Sequence, residues 1–472
     1  MGLHTVEKIG GTSMSRFGEL LDNIFIGNRT GEELYNRIFI VSAYGGITNL
    51  LLEDKKTGEP GIYGSFAAGD PVWEDKLETV LREMLRINHS FADLGLDMKA
   101  ADEFVRERMY GIRDGLRHLM QLRSFGHFQP KDYLPASREF LSAVGEAHSA
   151  HNSVLILQAK GVNAKFVDLT GWRDHSSYSI DEMIANHLNG LDFASCMPIV
   201  TGYVKCSEGI MAKFDRGYSE ITFSKTAVVT DAREGIIHKE FHLSTGDPKL
   251  IGPEKVRIIG NTNFDIADQL ADMAMEAIHP KASKEMELKN IPIRVTNAFD
   301  PGNSGTLISK DYVAPQPRVD MICGRSDVLA VEIFDPEMVG QSGYDHKVLG
   351  YFAANKISYI AKNTNANTIT HYVSERSRNL EACLEQIRQA LPAAQVSVRK
   401  VAIVAVLGSN MKLPGFLSRA ASALASEQIN ILALDQCMRQ VNMQFMLDRE
   451  EFKKAQIALH REFVEKEPAH NG

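Results

Sequence analysis

The chain has 472 residues, too long for one ordinary core, and on the order of two to four domains is expected. Its 44% hydrophobic and 24% charged residues suit a globular protein, and a formal net charge of −8 implies no broad cationic surface and argues against nucleic acid as the main partner, while leaving room for a local basic pocket. No apolar run approaches the roughly 20 residues that cross a bilayer, and the N-terminus lacks the charged-then-apolar build of a secretory signal, so a cytoplasmic enzyme with no nucleic-acid or membrane partner is expected.

From Thr5 to about Thr48 the sequence reads strand, glycine turn, helix, strand. The first turn, VEKIGGTSM (Val6 to Met14), sets Lys8 just before Gly10 and Gly11. Two readings fit it: N–H groups and a lysine that cradle a phosphate, or a bare strand-to-helix turn. It matches neither GxxxxGK[ST] nor GxGxxG. In NRIFIVSAYGG the apolar run Ile38 to Val41 suits a buried parallel strand. SVLILQAKG, NAKFVDLTGW, MPIVTGYV, TAVVTDAREGIIHKEF and IPIRVTN repeat the theme, and the alternation predicts an α/β fold, an αβα sandwich with a mostly parallel sheet.

A helical insertion at about 53–134 interrupts that pattern. Leu77, Val80, Leu81, Met84 and Leu85 recur at helical spacing, as do Val105, Met109, Ile112, Leu116 and Leu119. A lid over a cleft or a dimer contact is expected there, with a mobile loop at TGEPGIYGSFAAGDP. The proline-bearing DYVAPQPRVD reads as a linker, and beyond it lies a repeat of about 70 residues. Each copy reads strand, helix, strand, strand, helix, with a short strand to close, which is a ferredoxin-like unit. The domains expected are 1–311, 318–397 and 398–472.

Five cysteines are scattered without a CxxC pair, so neither a disulfide frame nor a zinc site is expected. His238 and His242 read as loop or core histidines, and no metal-binding residues are assigned.

The order of KIGGTS, VSAYGGITNLL, GEAHSA, DLTGW, PIVTGYV, DRGYSE, DPK, AIHPKA and IPIRVTNAFDPGNSGTLIS, followed by the repeat, resembles the aspartate kinases, an amino-acid kinase fold with two ACT domains. The resemblance runs through nearly the whole chain. It implies transfer of the ATP γ-phosphoryl to the side-chain carboxylate of L-aspartate, with Mg²⁺ held mainly by phosphates and water. That carboxylate is ionised at neutral pH and needs no general base, so cations and N–H donors are the catalysts to look for.

By the resemblance, Lys8 bridges donor and transferring phosphate, and Gly10, Gly11, Thr12 and Ser13 cradle its oxygens. Glu220 orients Lys8. Ser42 and Thr48 line the aspartate pocket, Arg216 pairs with the α-carboxylate as a planar fork, Glu146 accepts from the α-ammonium, and Ser219 helps hold the substrate. Asp247 and Lys249 of DPK reach the nucleotide. The ACT domains imply an amino-acid effector, with lysine and threonine the ones to test, or subunit pairing in a homodimer or higher homo-oligomer.

The chain departs from the family pattern in places. Arg-Gly-Gly-Ser-Asp is replaced by Arg216, Gly217, Tyr218, Ser219 and Glu220, which lengthens the acid and crowds a backbone-approach position. A TDVDG-like stretch is replaced by HKEFHLSTGDP, and Glu276 stands where lysine is common, so adenine and ribose contacts do not carry over. These segments resemble a divergent subgroup linked to ectoine synthesis. Two other readings stay open: a catalytically weak amino-acid-binding regulator, and a kinase of this fold acting on another carboxylate.

Overall fold

The computed structural model describes residues 2–214, 217–273, 275 and 278–466. The chain forms two compact units, Met1–His242 with Ile278–Lys310, and Leu243–Ala277 with Asp311–Gly472.

Seven strands of the first unit lie in the order Ala164–Val167, Met197–Thr201, Arg37–Val41, Thr5–Ile9, Glu234–Lys239, Ile293–Asn297, Thr306–Ser309. Neighbours are parallel except the last pair. Arg37–Val41 and Met197–Thr201 are buried at every position, which is why residues 38–41 and 197–200 read as unbroken apolar runs rather than alternating ones.

Glu7 is the exception to that apolar interior. Successive strand residues point to opposite faces, so Glu7 and Lys8 are directed apart. Glu7 takes both Arg37 Nε (2.7 Å) and Nη2 (2.9 Å), Thr5 Oγ1 (2.9 Å) and His238 Nε2 (2.8 Å). Arg37 also donates to the carbonyls of Ile24 and Phe25. Burial alone would raise the Glu7 pKa, but Arg37 and His238 outweigh it and hold the carboxyl well below its ordinary range. His238 is thus a core histidine on a strand, while His242 pairs with Asp300 (3.0 Å).

The insertion consists of helices Trp73–Ser90 and Met98–Arg123, which turn Leu77, Val80, Leu81 and Met84 on one and Val105, Met109, Ile112 and Leu116 on the other into the core. Three local expectations are corrected. Within TGEPGIYGSFAAGDP, residues Ile62–Ala68 form a helix, because Ile62 and Phe66 share a face and Phe66 packs edge-on against Trp73 and Tyr133. SVLILQAKG is no strand but the end of the helix Pro130–Ala159, and the start of TAVVTDAREGIIHKEF closes the helix Tyr218–Val229. A helix buried nearly all round has the same continuous apolar text as a buried strand.

In the second unit the strand order is Tyr359–Thr364, Thr368–Ser374, Met321–Phe334, Gln395–Leu407, Asn442–Asp448, Ala433–Asp435. The two central strands serve both repeats. Val328–Phe334 pairs with Thr368–Ser374 of the first repeat, whereas Met321–Arg325 pairs with Ile403–Leu407 of the second. The strand that completes the second repeat therefore comes from before the first, not from the C-terminal end of its own copy. Helices Tyr344–Ala354 and Leu380–Ala390 cover one core, and Phe416–Ser426 and Phe452–His460 the other.

Candidate active site

Parallel strands align their carboxyl ends, and in open α/β sheets ligands bind outside those ends. Here the ends of Thr5–Ile9, Arg37–Val41 and Met197–Thr201 deliver Lys8, Ser42 and Gly202 to one rim. Gly10 is the extended N-cap (φ −74°, ψ 158°) of the short helix Gly11–Met14. A Cβ on Gly11 would lie 2.5 Å from the Ala43 carbonyl oxygen, so only glycine allows the first turn to sit against the second. Ser15 Oγ accepts from Gly45 N (2.9 Å) and ties the same two turns.

Helix Pro130–Ala159 reaches the rim because Gly145 also lacks a side chain: its Cβ would stand 2.6 Å from the Ala43 Cβ. Ser149 Oγ donates to the Ser42 carbonyl (2.8 Å). Helix Tyr218–Val229 closes the site from another side. Ser219 lies against Gly202, whose added Cβ would meet Ser219 Oγ at 2.8 Å, and Thr222 Oγ1 donates to the Gly202 carbonyl (2.7 Å).

Glu220, on this helix, receives Lys8 Nζ at 3.4 Å on Oε1 and the His279 N–H at 2.6 Å on Oε2. Burial pushes its pKa up, but Lys8, then Lys239 and the His279 N–H, leave it below the ordinary value. Both side chains of the pair are 15% exposed or less. Glu146 is set differently. It is buried, Oε1 accepts the Tyr218 hydroxyl (2.7 Å), and Oε2 has no hydrogen-bond partner among the described residues. Burial lifts its pKa to about 7, against the opposing pull of Tyr218 and of the backbone N–H groups of Glu146 and Ala43.

The first unit thus gathers Lys8, Gly10, Gly11, Ser13, Ser42, Glu146, Ser219 and Glu220. Ser13 is buried, its Oγ donating to Glu240 (2.8 Å). Thr12 is exposed on the same turn, and Thr48 is half-buried on the helix Ile47–Leu51. Arg216 and Glu276 lie outside the described residues. Asp247 and Lys249 belong to the second unit, where Asp247 caps the short helix Pro248–Ile251 and both line a cavity of about 420 Å³ with Phe452 and Gln456.

Sequence reasoning missed four partners. Tyr218 was visible only as an oversized residue at a glycine position, and Lys239 only as one residue of the altered stretch HKEFHLSTGDP. His279 and Ser149 carried no signal, because one acts through its backbone N–H and the other bonds a carbonyl from a distant helix.

The geometry is that of an anion site: a glycine turn, a lysine held by a buried carboxylate, and a second carboxylate near neutrality. Two family descriptions match the chain, the amino acid kinase family over residues 4–297 and an ACT domain over 404–463. The aspartate kinase Ask_Ect of Stutzerimonas stutzeri is 47% identical over 98% of both chains. Aspartokinase 2, chloroplastic, of Arabidopsis thaliana is 23% identical over 91% of this chain and 79% of its own. In fold, the chain is similar to E. coli aspartokinase III in complex with aspartate and ADP, with a TM-score of 0.73 and 20% identity over 97% of this chain and 99% of that one. The chain belongs to the amino acid kinase family and, within it, to the aspartate kinases that carry C-terminal ACT domains.

Proposed function

We propose that the protein transfers the γ-phosphoryl of ATP to the side-chain carboxylate of L-aspartate, giving 4-phospho-L-aspartate for aspartate-family amino acids or ectoine. The observation that carries this reading is the Lys8–Glu220 pair beside the Gly10–Gly11 turn. Phosphoryl transfer to a carboxylate brings two anions together, so positioning and charge neutralisation supply most of the catalysis. Lys8 neutralises the phosphoryl in flight, and Glu220 keeps its ammonium aimed. N–H groups from Gly11 to Ser13 donate to phosphate oxygens.

Glu146 and Ser219 hold the aspartate ammonium and backbone, Ser42 and Thr48 line the pocket, and Arg216 takes the α-carboxylate. Asp247 and Lys249 serve the nucleotide. A divalent ion would arrive on the nucleotide phosphates, which with water would supply most of its ligands. Mg²⁺ so bound neutralises phosphate charge. The ACT repeats bind an amino-acid effector or pair subunits into a homo-oligomer. Lysine and threonine are the compounds to try.

The test is hydroxamate formation. Purified protein with Mg-ATP, aspartate and hydroxylamine is expected to yield the aspartyl hydroxamate, with glutamate and N-acetylglutamate inactive. No product at high enzyme concentration would favour an amino-acid-binding regulator instead.

A further inference from the structure

Tyr218 occupies a position where the family pattern has glycine, and its surroundings are built to fix its hydroxyl. The ring is 2% exposed and meets Tyr203 edge-on, with centroids 5.7 Å apart and planes at 78°. Tyr203 is itself anchored: its hydroxyl donates to Glu139 Oε2 (2.7 Å), and Glu139 Oε1 accepts the Met211 N–H (2.8 Å). The Tyr218 hydroxyl then reaches Glu146 Oε1 at 2.7 Å. The backbone N–H groups of Glu146 and Ala43 also draw on this carboxylate, but neither makes a hydrogen bond to Oε2, which is equally buried and has no hydrogen-bond partner among the described residues. Buried acceptors are paired with few exceptions, so one left over at a proposed substrate pocket points to a missing donor.

Resting on the assignment of Glu146 as acceptor of the substrate ammonium, we propose that Tyr218 is a positioning residue that clamps one oxygen of Glu146 and leaves the other as the single acceptor for that ammonium. This divides the carboxylate between an internal donor and an external one, and it sets the direction from which the amino acid's nitrogen arrives. Among the described residues the titratable groups around this point are Tyr218 itself and, behind it, Tyr203, Glu139 and Cys206. Burial is the largest influence on Tyr203 as on Glu146, and both are held toward their neutral forms. Part of the free protein at neutral pH therefore carries a proton on Glu146. Arrival of the cationic ammonium converts the carboxylic acid to a carboxylate and releases that proton to solvent; no other bond changes.

The experiment combines calorimetry with kinetics. Aspartate is titrated into the full-length protein with Mg-ADP at pH 7 in two buffers of different ionisation enthalpy. Net release of protons to the buffer on binding is expected. For Tyr218→Phe, which keeps the ring packing, kcat is expected to stay within about twofold while the aspartate KM at pH 7 rises about three- to tenfold. Because the Tyr218 hydrogen bond lowers the Glu146 pKa, its loss moves the acid limb of kcat/KM for aspartate to higher pH, which a purely structural change would not do. Binding without proton release, or a Tyr218→Phe limb and KM that do not move, overturns the proposal. Glu146→Gln separates the two levels. If it raises KM while Tyr218→Phe does not, the pocket assignment stands and the role of Tyr218 falls. If it leaves KM unchanged, or if aspartate does not bind, the pocket assignment falls and the proposal with it.

Discussion

Glu220 bridges two segments far apart in sequence, taking Lys8 Nζ at 3.4 Å on one carboxylate oxygen and the His279 N–H at 2.6 Å on the other. The lysine is therefore held by an acid that is itself fixed by backbone.

Lys8→Ala is expected to lower kcat by several orders of magnitude with a smaller effect on the aspartate KM, since the charge acts mainly on the transition state. Glu220→Gln, which keeps the shape but loses the charge, should cost about ten- to a hundredfold in kcat. Steady-state kinetics in the hydroxamate assay measure both, and an unchanged kcat for Lys8→Ala removes it from the reaction. Arg216→Ala is expected chiefly to raise the aspartate KM.

Gly11→Ala and Gly145→Ala place a methyl 2.5 Å from the Ala43 carbonyl oxygen and 2.6 Å from the Ala43 Cβ. Either must shift the 43–45 turn, at a cost of about 1–3 kcal/mol in stability. The same shift disturbs the turn proposed to receive phosphate, so activity should fall more than unfolding midpoints suggest. Urea melts alongside kinetics would show whether the two losses part.

Arg37→Met leaves Glu7 buried without its main partner, and about 3–5 kcal/mol of stability should be lost at pH 7. Glu7 has a folded pKa below its unfolded value, so its contribution is complete above the unfolded pKa and fades as pH falls toward the folded one. The gap in stability between wild type and variant should therefore be full at neutral pH and narrow below about pH 4. Equilibrium unfolding across that range is the measurement.

Glu146 has the opposite sign. Its folded pKa of about 7 lies above the ordinary 4.5, so the folded state favours the protonated form and loses stability as pH rises between those values. Glu146→Gln imitates the neutral acid. It should be close to neutral at pH 5 and more stable than wild type at pH 8, by on the order of 3 kcal/mol at most. Equal melting temperatures at both pH values would contradict the burial of that charge.

Much of the architecture was legible in the residues alone. The Ile38 to Val41 run, the helical spacing of Leu77 to Met84 and the C-terminal repeat each carry a local period that one kind of element satisfies. The motif order from KIGGTS to the repeat identified the family, and only through that order could Lys8, Gly10 and Gly11 be named, since a glycine turn after a strand suits a bare turn equally well. SVLILQAKG was misread because an all-round buried helix erases its own period.

Partner choice was beyond the sequence, since a contact between residues remote in the chain is set by how elements pack and leaves no local pattern. Only the fold decided that Tyr218 would meet Glu146, that Glu7 would gather Arg37 and His238, and that each long strand of the ACT pair would be shared. Burial decided the rest: of two glutamates, Glu220 is held ionised by a lysine while Glu146 is drawn toward its neutral form, a difference of surroundings between residues of identical chemistry.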